Sequence, residues 1–322
     1  MKIVVLEKNS VGDDVDMRSM DGLGELIIYS NTLQDQIAER VQDADVVVIN
    51  KCRMNAETIG NARKLKLIAV FATGYDVVDL KYCEERGIAV ANVRGYSTDS
   101  VAQHTIALAL SLLEKLSYYD NYVKSGAYSE QEFFCHMGEP FRDLQDKTWG
   151  IVGMGNIGSK VAKIAEALGC RVIYYSTTGN HDVPGYERVT MDELCARSDV
   201  LSVHCPLTDT TRGMIDRAFL QKMKSSAILV NVARGPIVRE DALLWALENQ
   251  VIAGAGLDVL SREPMDKENP LYGYQDSRKL IITPHMAWGS IEARQRLVEE
   301  TARNIQAFQN GEARNLVTGR RS

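Results

Sequence analysis

The chain has 322 residues, 45% of them hydrophobic and 25% charged, a balance that suits a folded globular protein of two domains and excludes bulk disorder. Its net charge of −6 speaks against a nucleic-acid or anionic-membrane partner, since either needs a basic face. No stretch approaches the roughly 20 apolar residues that cross a bilayer, and the apolar start at 1–6 is too short for a signal peptide.

From its start the chain alternates short apolar runs, at 3–6, 46–49, 67–70 and 88–91, with helical stretches such as 33–41. Runs without polar alternation are buried on both faces, so a parallel sheet flanked by helices is expected. A long helical segment follows from 98 to about 124, apolar almost all round between Val101 and Leu113. Such a helix is buried on several sides, either between domains or against a second subunit. The stretch 125–144 is irregular and aromatic, with Tyr128, Phe133, Phe134 and Phe141. A second βα series starts at Thr148, with strands expected at 148–152, 171–175, 200–203, 227–232, 254–259 and 280–283. Thr190 and Glu193 fit a capping box, and a last amphipathic helix over 290–309 stops at Asn310-Gly311. The fold class expected is α/β, as two doubly wound parallel-sheet domains. The six cysteines form no C-x-x-C pair, which removes a metal-site spacing and leaves free thiols in a reducing cytoplasm.

Residues 150–158 read Gly-Ile-Val-Gly-Met-Gly-Asn-Ile-Gly. Gly153, Gly155 and Gly158 form G-x-G-x-x-G after an apolar strand, and Asn156 and Ile157 open a helix. That context is what a dinucleotide fingerprint requires. The helix N-terminus then offers free N–H groups to a pyrophosphate. An acid that binds the NAD ribose should end the second strand, yet Ser176 stands there. No Arg or Lys follows nearby to clamp a 2′-phosphate, the next candidate being His181. NAD is the favoured cofactor, and NADP stays open.

Three residues follow the carboxyl ends of consecutive strands, the edge where such sheets bind ligands. They are Arg234 in Asn-Val-Ala-Arg-Gly-Pro, Glu263 in Asp-Val-Leu-Ser-Arg-Glu-Pro, and His285 in Thr-Pro-His-Met-Ala-Trp. A guanidinium grips a substrate carboxylate with two hydrogen bonds. An imidazole trades a proton with a C2 oxygen near neutral pH, and a carboxylate orients it. Hydride transfer to a nicotinamide needs no metal.

These runs, together with 203–208 (Val-His-Cys-Pro-Leu-Thr), 72–76 (Ala-Thr-Gly-Tyr-Asp) and the helix at 100–113, resemble the signatures of the D-isomer-specific 2-hydroxyacid dehydrogenase family over nearly the whole chain. The resemblance implies a flavodoxin-like substrate domain (1–98 plus 290–322) and a Rossmann dinucleotide-binding domain (99–289), with the active site in the cleft. It implies a homodimer built on 99–145. It makes Arg234 the substrate-binding residue, His285 the acid/base and Glu263 its partner, with substrate carboxylate held by the backbone at Thr73 and Gly74. Asp258, His204, Cys205 and Pro206 would line the nicotinamide pocket, and Thr211, Val232 and Ala233 would add cofactor contacts.

Within the family the chain looks closest to glycerate dehydrogenases and hydroxypyruvate or glyoxylate reductases. The grounds are the Phe133-Phe134-Cys135 loop before Pro140, the Asn50-Lys51 pair and the run that ends in Trp288; Lys51 and Trp288 are accordingly expected to touch substrate. D-lactate and larger D-2-hydroxy acids stay as alternatives. A non-catalytic nucleotide sensor on the same fold and a peptide-binding α/β module are competing readings. A hydride-transfer assay separates the first and a cofactor titration the second.

Overall fold

The computed structural model describes residues 1–179 and 182–318. The chain divides into two compact units, Met1–Ser97 with Trp288–Ser322, and Thr98–Ala287.

The first unit begins with strand β1 (Lys2–Val5), then β2 (Glu25–Ile28), helix α1 (Ile37–Val41), β3 (Val46–Ile49), α2 (Ala56–Ile59), β4 (Leu67–Val70), α3 (Leu80–Glu85) and β5 (Ala89–Ala91). The strands lie in the order β2-β1-β3-β4-β5, all parallel. β3 and β4 are wholly buried runs of Val, Ile, Leu and Ala, because both faces of a parallel sheet are covered. β2 was not expected from the sequence. It is an edge strand, and its mixed exposure hides it from a search for apolar runs. The stretch expected to be helical at 33–41 opens as a 3₁₀ turn and becomes α-helix only from Ile37.

The second unit holds α4 (Thr98–Leu113), α5 (Leu116–Lys124), β6 (Thr148–Val152), α6 (Asn156–Ala167), β7 (Arg171–Tyr175), β8 (Glu187–Arg188), α7 (Met191–Arg197), β9 (Val200–Val203), α8 (Arg217–Lys222), β10 (Ile228–Asn231), α9 (Glu240–Glu248), β11 (Gly254–Leu257) and β12 (Leu280–Ile282). Its sheet runs β12-β11-β10-β9-β6-β7-β8, again all parallel. The helix expected over 98–124 is broken at Lys115, whose φ of 54° turns the chain left-handed and starts α5 in a new direction. The apolar girth of α4 is explained inside this unit: it packs against α6, β10 and β11. α7 carries the expected capping box, with Thr190 and Glu193 exchanging hydrogen bonds.

The last helix, α10 (Ile291–Gln309), belongs to the first unit. Ser290 caps it, and Ala293, Leu297, Val298, Ala302 and Ile305 recur at helical spacing to pack against Val46, Val48, Leu67 and Ala69 on one face of that unit's sheet. Among the described residues no helix is long and apolar enough to cross a membrane.

Candidate active site

The order of the second sheet reverses between β6 and β9, the kind of switch point outside which such sheets bind ligands, between the loops that follow the two strands. Gly153 follows β6 with φ 91°, and a Cβ there would lie 2.8 Å from the backbone nitrogen of Cys205. Only glycine permits both the left-handed turn and that approach. A Cβ on Gly158 would lie 2.3 Å from the carbonyl oxygen of Gly153, so this glycine lets α6 sit close against its own strand. A Cβ on Gly155 would meet no atom within 4 Å. The space beside Gly155 is therefore open, and it lies at the N-terminus of a twelve-residue helix whose first N–H groups have no intrahelical partner. Asn156 is exposed and Ile157 half-buried at that end. These residues fit the pyrophosphate of a nicotinamide dinucleotide.

Opposite this turn, the His204 N–H donates to the carbonyl of Val152 (2.8 Å). The His204 ring lies inside, with Nε2 3.0 Å from the Ser202 hydroxyl, whose oxygen also accepts the Trp149 indole N–H. Burial pushes the His204 imidazole down to about 3, so it is neutral at physiological pH. Its Nδ1 is buried and has no partner among the described residues. Cys205 and Thr211, expected beside the cofactor, are 3% and 2% exposed. The Thr211 hydroxyl donates to the carbonyl of Pro206 (2.8 Å) and accepts the Thr208 N–H (2.7 Å), so it shapes this loop from within. The Cys205 thiol is pushed up to about 11 by burial, which keeps it protonated.

Ser176 directly follows β7, with Oγ 3.5 Å from the Thr178 hydroxyl. The sequence offered no cation near this position, but the fold brings one. β8 pairs Arg188 with Tyr174, and the Arg188 guanidinium donates to the carbonyl of Gly179 (3.0 Å), whose own N–H donates to the carbonyl of Ser176 (3.2 Å). Arg188 also pairs with Asp182 at 2.8 Å. His181, the earlier candidate, lies outside the described residues.

Arg234, Glu263 and His285 follow β10, β11 and β12, three strands adjacent in the sheet. Buried Asn231 shapes the first loop: its Oδ1 accepts the Ala233 N–H and its Nδ2 donates to the carbonyl of Arg234, both at 3.1 Å. Val232 is buried and Ala233 half-buried in that loop. Arg234 is half-buried, with Nη1 on the carbonyl of Ala233 (2.8 Å). A Cβ on Gly235 would fall 1.9 Å from the carbonyl carbon of Leu260, so the loops after β10 and β11 touch backbone to backbone. Buried Glu240, at the start of α9, ties them further by accepting the N–H (2.7 Å) and hydroxyl (2.6 Å) of Ser261 and the Asn269 amide (2.9 Å).

Glu263 Oε1 accepts the Leu260 N–H at 2.9 Å, and its Oε2 lies 2.6 Å from Nδ1 of His285. An ionised carboxylate only accepts, so Nδ1 carries a proton and Nε2 is the nitrogen left for exchange. His285 has φ 53°, a conformation that costs a non-glycine residue about 1–3 kcal/mol and must be imposed by its surroundings. Asp258 imposes much of it. Its carbonyl accepts the His285 N–H (2.8 Å), and its carboxylate, 1% exposed, accepts the N–H groups of Met286 and Ala287, each at 2.9 Å.

The remaining expected residues lie in the first unit. Exposed Lys51 follows β3 on a loop gathered by one acid: Glu7 Oε2 accepts the N–H groups of Asn50 (2.8 Å), Lys51 (2.8 Å) and Cys52 (2.9 Å). Nothing in the residue types near Glu7 signals this role, because its partners are 43–45 positions away. Thr73 and Gly74 follow β4. The Thr73 hydroxyl donates to the carbonyl of Val93 and its carbonyl accepts the Asn92 amide, both at 2.7 Å, which fixes this turn. Trp288, expected at the substrate, is half-buried, stands edge-on to Tyr96 at 6.3 Å and packs into the core beneath α10.

Comparison with known proteins agrees with this geometry. Residues 106–287 match the family described as D-isomer specific 2-hydroxyacid dehydrogenase, NAD binding domain. The chain is 37% identical to a hydroxypyruvate reductase of Blautia hydrogenotrophica, covering 98% of this chain and 99% of that one. It is 39% identical to a glycerate dehydrogenase of Methylorubrum extorquens, covering 98% of each. The structure of a D-lactate dehydrogenase from Aquifex aeolicus, complexed with NAD and lactic acid, superposes with a TM-score of 0.85 at 28% identity over the full length of both chains. A dinucleotide turn, an Arg, a Glu–His pair and these relatives point one way: the chain belongs to the D-isomer-specific 2-hydroxyacid dehydrogenases, NAD(P)-dependent oxidoreductases that act on a CH–OH group.

Proposed function

We propose that this enzyme reduces hydroxypyruvate or glyoxylate, and oxidises D-glycerate in reverse, with His285 as the proton donor and acceptor. The observation that carries the role of His285 is the 2.6 Å bond from its Nδ1 to Glu263. That bond fixes the tautomer and the ring plane and leaves Nε2 for the C2 oxygen of substrate. Arg234 binds the substrate carboxylate and polarises the adjoining carbonyl. When bound, the nicotinamide supplies the hydride that C2 accepts. Gly153, Gly155, Asn156 and Gly158 hold the pyrophosphate, the 204–206 loop with Val232, Ala233 and Asp258 borders the nicotinamide, and Ser176 meets the ribose. Arg188 at that turn supports use of NADPH beside NADH. Lys51, Thr73, Gly74 and Trp288 are assigned to substrate. The assignment of substrate rests on the relatives named as hydroxypyruvate reductase and glycerate dehydrogenase. A spectrophotometric panel of hydroxypyruvate, glyoxylate, pyruvate and phenylpyruvate, each with NADH and NADPH, tests it. Hydroxypyruvate or glyoxylate should give the highest kcat/KM, and a clear preference for pyruvate or phenylpyruvate would overturn the choice.

We also assign the enzyme to the cytoplasm as a homodimer. All six cysteines stand free, which suits a reducing compartment. The segment 116–141 exposes Leu116, Val123, Phe133, Phe134, Met137 and Phe141, with Phe134 88% exposed, an apolar display that suits a second copy of the chain. Sedimentation should read a dimer that becomes a monomer when Phe133 and Phe134 are both changed to Asp. A wild-type monomer would remove the assignment.

A further inference from the structure

α4 contributes a histidine that the scheme above leaves unused. His104 lies on the second turn of this helix, in the second unit, with its side chain 17% exposed. Its Nε2 is 3.0 Å from the hydroxyl oxygen of Thr283, and that hydroxyl is 2.6 Å from Oδ1 of Asp258. The directions of these bonds follow from the donor inventory. An ionised carboxylate only accepts, so the Thr283 O–H donates to Asp258. The Thr283 oxygen then accepts, and the proton it accepts sits on His104 Nε2. One turn earlier on the same helix face, the Ser100 hydroxyl donates to the carbonyl of Ala287 at 2.6 Å. α4 therefore grips both ends of the segment 283–287 that carries His285.

We propose that His104 is a positioning residue for the catalytic imidazole, acting through Thr283 and Asp258. The His104 N–H orients the Thr283 hydroxyl. That hydroxyl, with the N–H groups of Met286 and Ala287, fixes the rotation of the Asp258 carboxylate. The fixed carboxylate holds the backbone directly after His285, and the Asp258 carbonyl holds the His285 N–H. A left-handed histidine clamped on both sides keeps its ring where Glu263 can meet it. Without His104 the Thr283 hydroxyl is free to turn, one donor to a buried carboxylate is lost, and the imidazole samples poses unsuited to proton transfer.

This proposal rests on His285 being the acid/base, and the two can fail separately. Near-normal turnover in His285→Ala overturns the acid/base role whatever His104 does. For His104, the full-length enzyme is assayed with hydroxypyruvate and NADH as His104→Leu, His104→Gln, Thr283→Val and the double variant His104→Leu/Thr283→Val, with NADH titrations and thermal unfolding alongside. His104→Leu should lower kcat about 10–100-fold, as loss of a residue that orients a ligating or catalytic group does, with little change in the KM of the keto acid or in NADH binding. His104→Gln, which keeps an N–H donor, should recover most of that loss. Thr283→Val should resemble His104→Leu, and the double variant should lose little more than either alone, because both cut one chain. Should His104→Leu fail to fold, the comparison of His104→Gln with Thr283→Val carries the test: the first near wild type, the second impaired in kcat. Wild-type kcat in His104→Leu or Thr283→Val, a fall in Tm without a fall in kcat, or fully additive losses in the double variant would each overturn the proposal.

Discussion

The two sheets have carboxyl edges of similar design and opposite use. In the first unit the strand order reverses between β1 and β3, and the loop after β3 turns three backbone N–H groups toward one point. Such a nest binds anions. The chain fills it with its own Glu7, so the site is closed by a side chain. In the second unit the order reverses between β6 and β9, and here the loop after β6, the counterpart of β1, carries the glycines, with empty space beside Gly155. On the proposed reading, topology offers a turn suited to an anion in each sheet, and the residue types decide which of them is left for a ligand.

This contrast can be broken from either side. The largest effect is expected at the open edge. Gly155→Val puts a branched side chain into space that no protein atom uses, so thermal unfolding of the apo-enzyme should shift little. NADH binding should weaken at least about tenfold, a loss of roughly 1.4 kcal/mol. Unaltered NADH affinity by fluorescence titration would show that the pyrophosphate lies elsewhere. At the closed edge the variant Glu7→Ala strands three N–H donors, and denaturant unfolding should report a loss of about 1–3 kcal/mol with NADH binding unchanged. Equal stability would mean that water or another group serves the nest as well. The smallest effect is Glu7→Gln, which keeps an acceptor oxygen and should recover part of that loss in the same unfolding experiment.

Much of this was legible in the sequence, and the gaps have physical causes. β6, β7 and β9 lie at the residues their apolar runs marked, because central parallel strands are buried on both faces and read as unbroken hydrophobic stretches. β2 and β8 left no such mark: one is a half-exposed edge, the other two exposed residues. Missing β8 also hid Arg188, twelve positions after Ser176 in the chain but delivered to the same turn by strand pairing. The break at Lys115 carries no Gly or Pro to announce it. The glycine fingerprint, Arg234, Glu263 and His285 stood out because few residue types can do their work. Glu7, Asn231, Glu240 and His104 did not, since an acid, an amide or an imidazole that braces a loop is recognisable only by contacts distant in sequence.

The central claim is that the imidazole bonded to Glu263 passes the proton in the reaction. Single-turnover reduction of hydroxypyruvate by NADH bound to His285→Ala, followed by nicotinamide absorbance, tests it most directly. The account predicts a rate about 10²–10⁴-fold below wild type, with NADH affinity retained. A rate within a few-fold of wild type would contradict it.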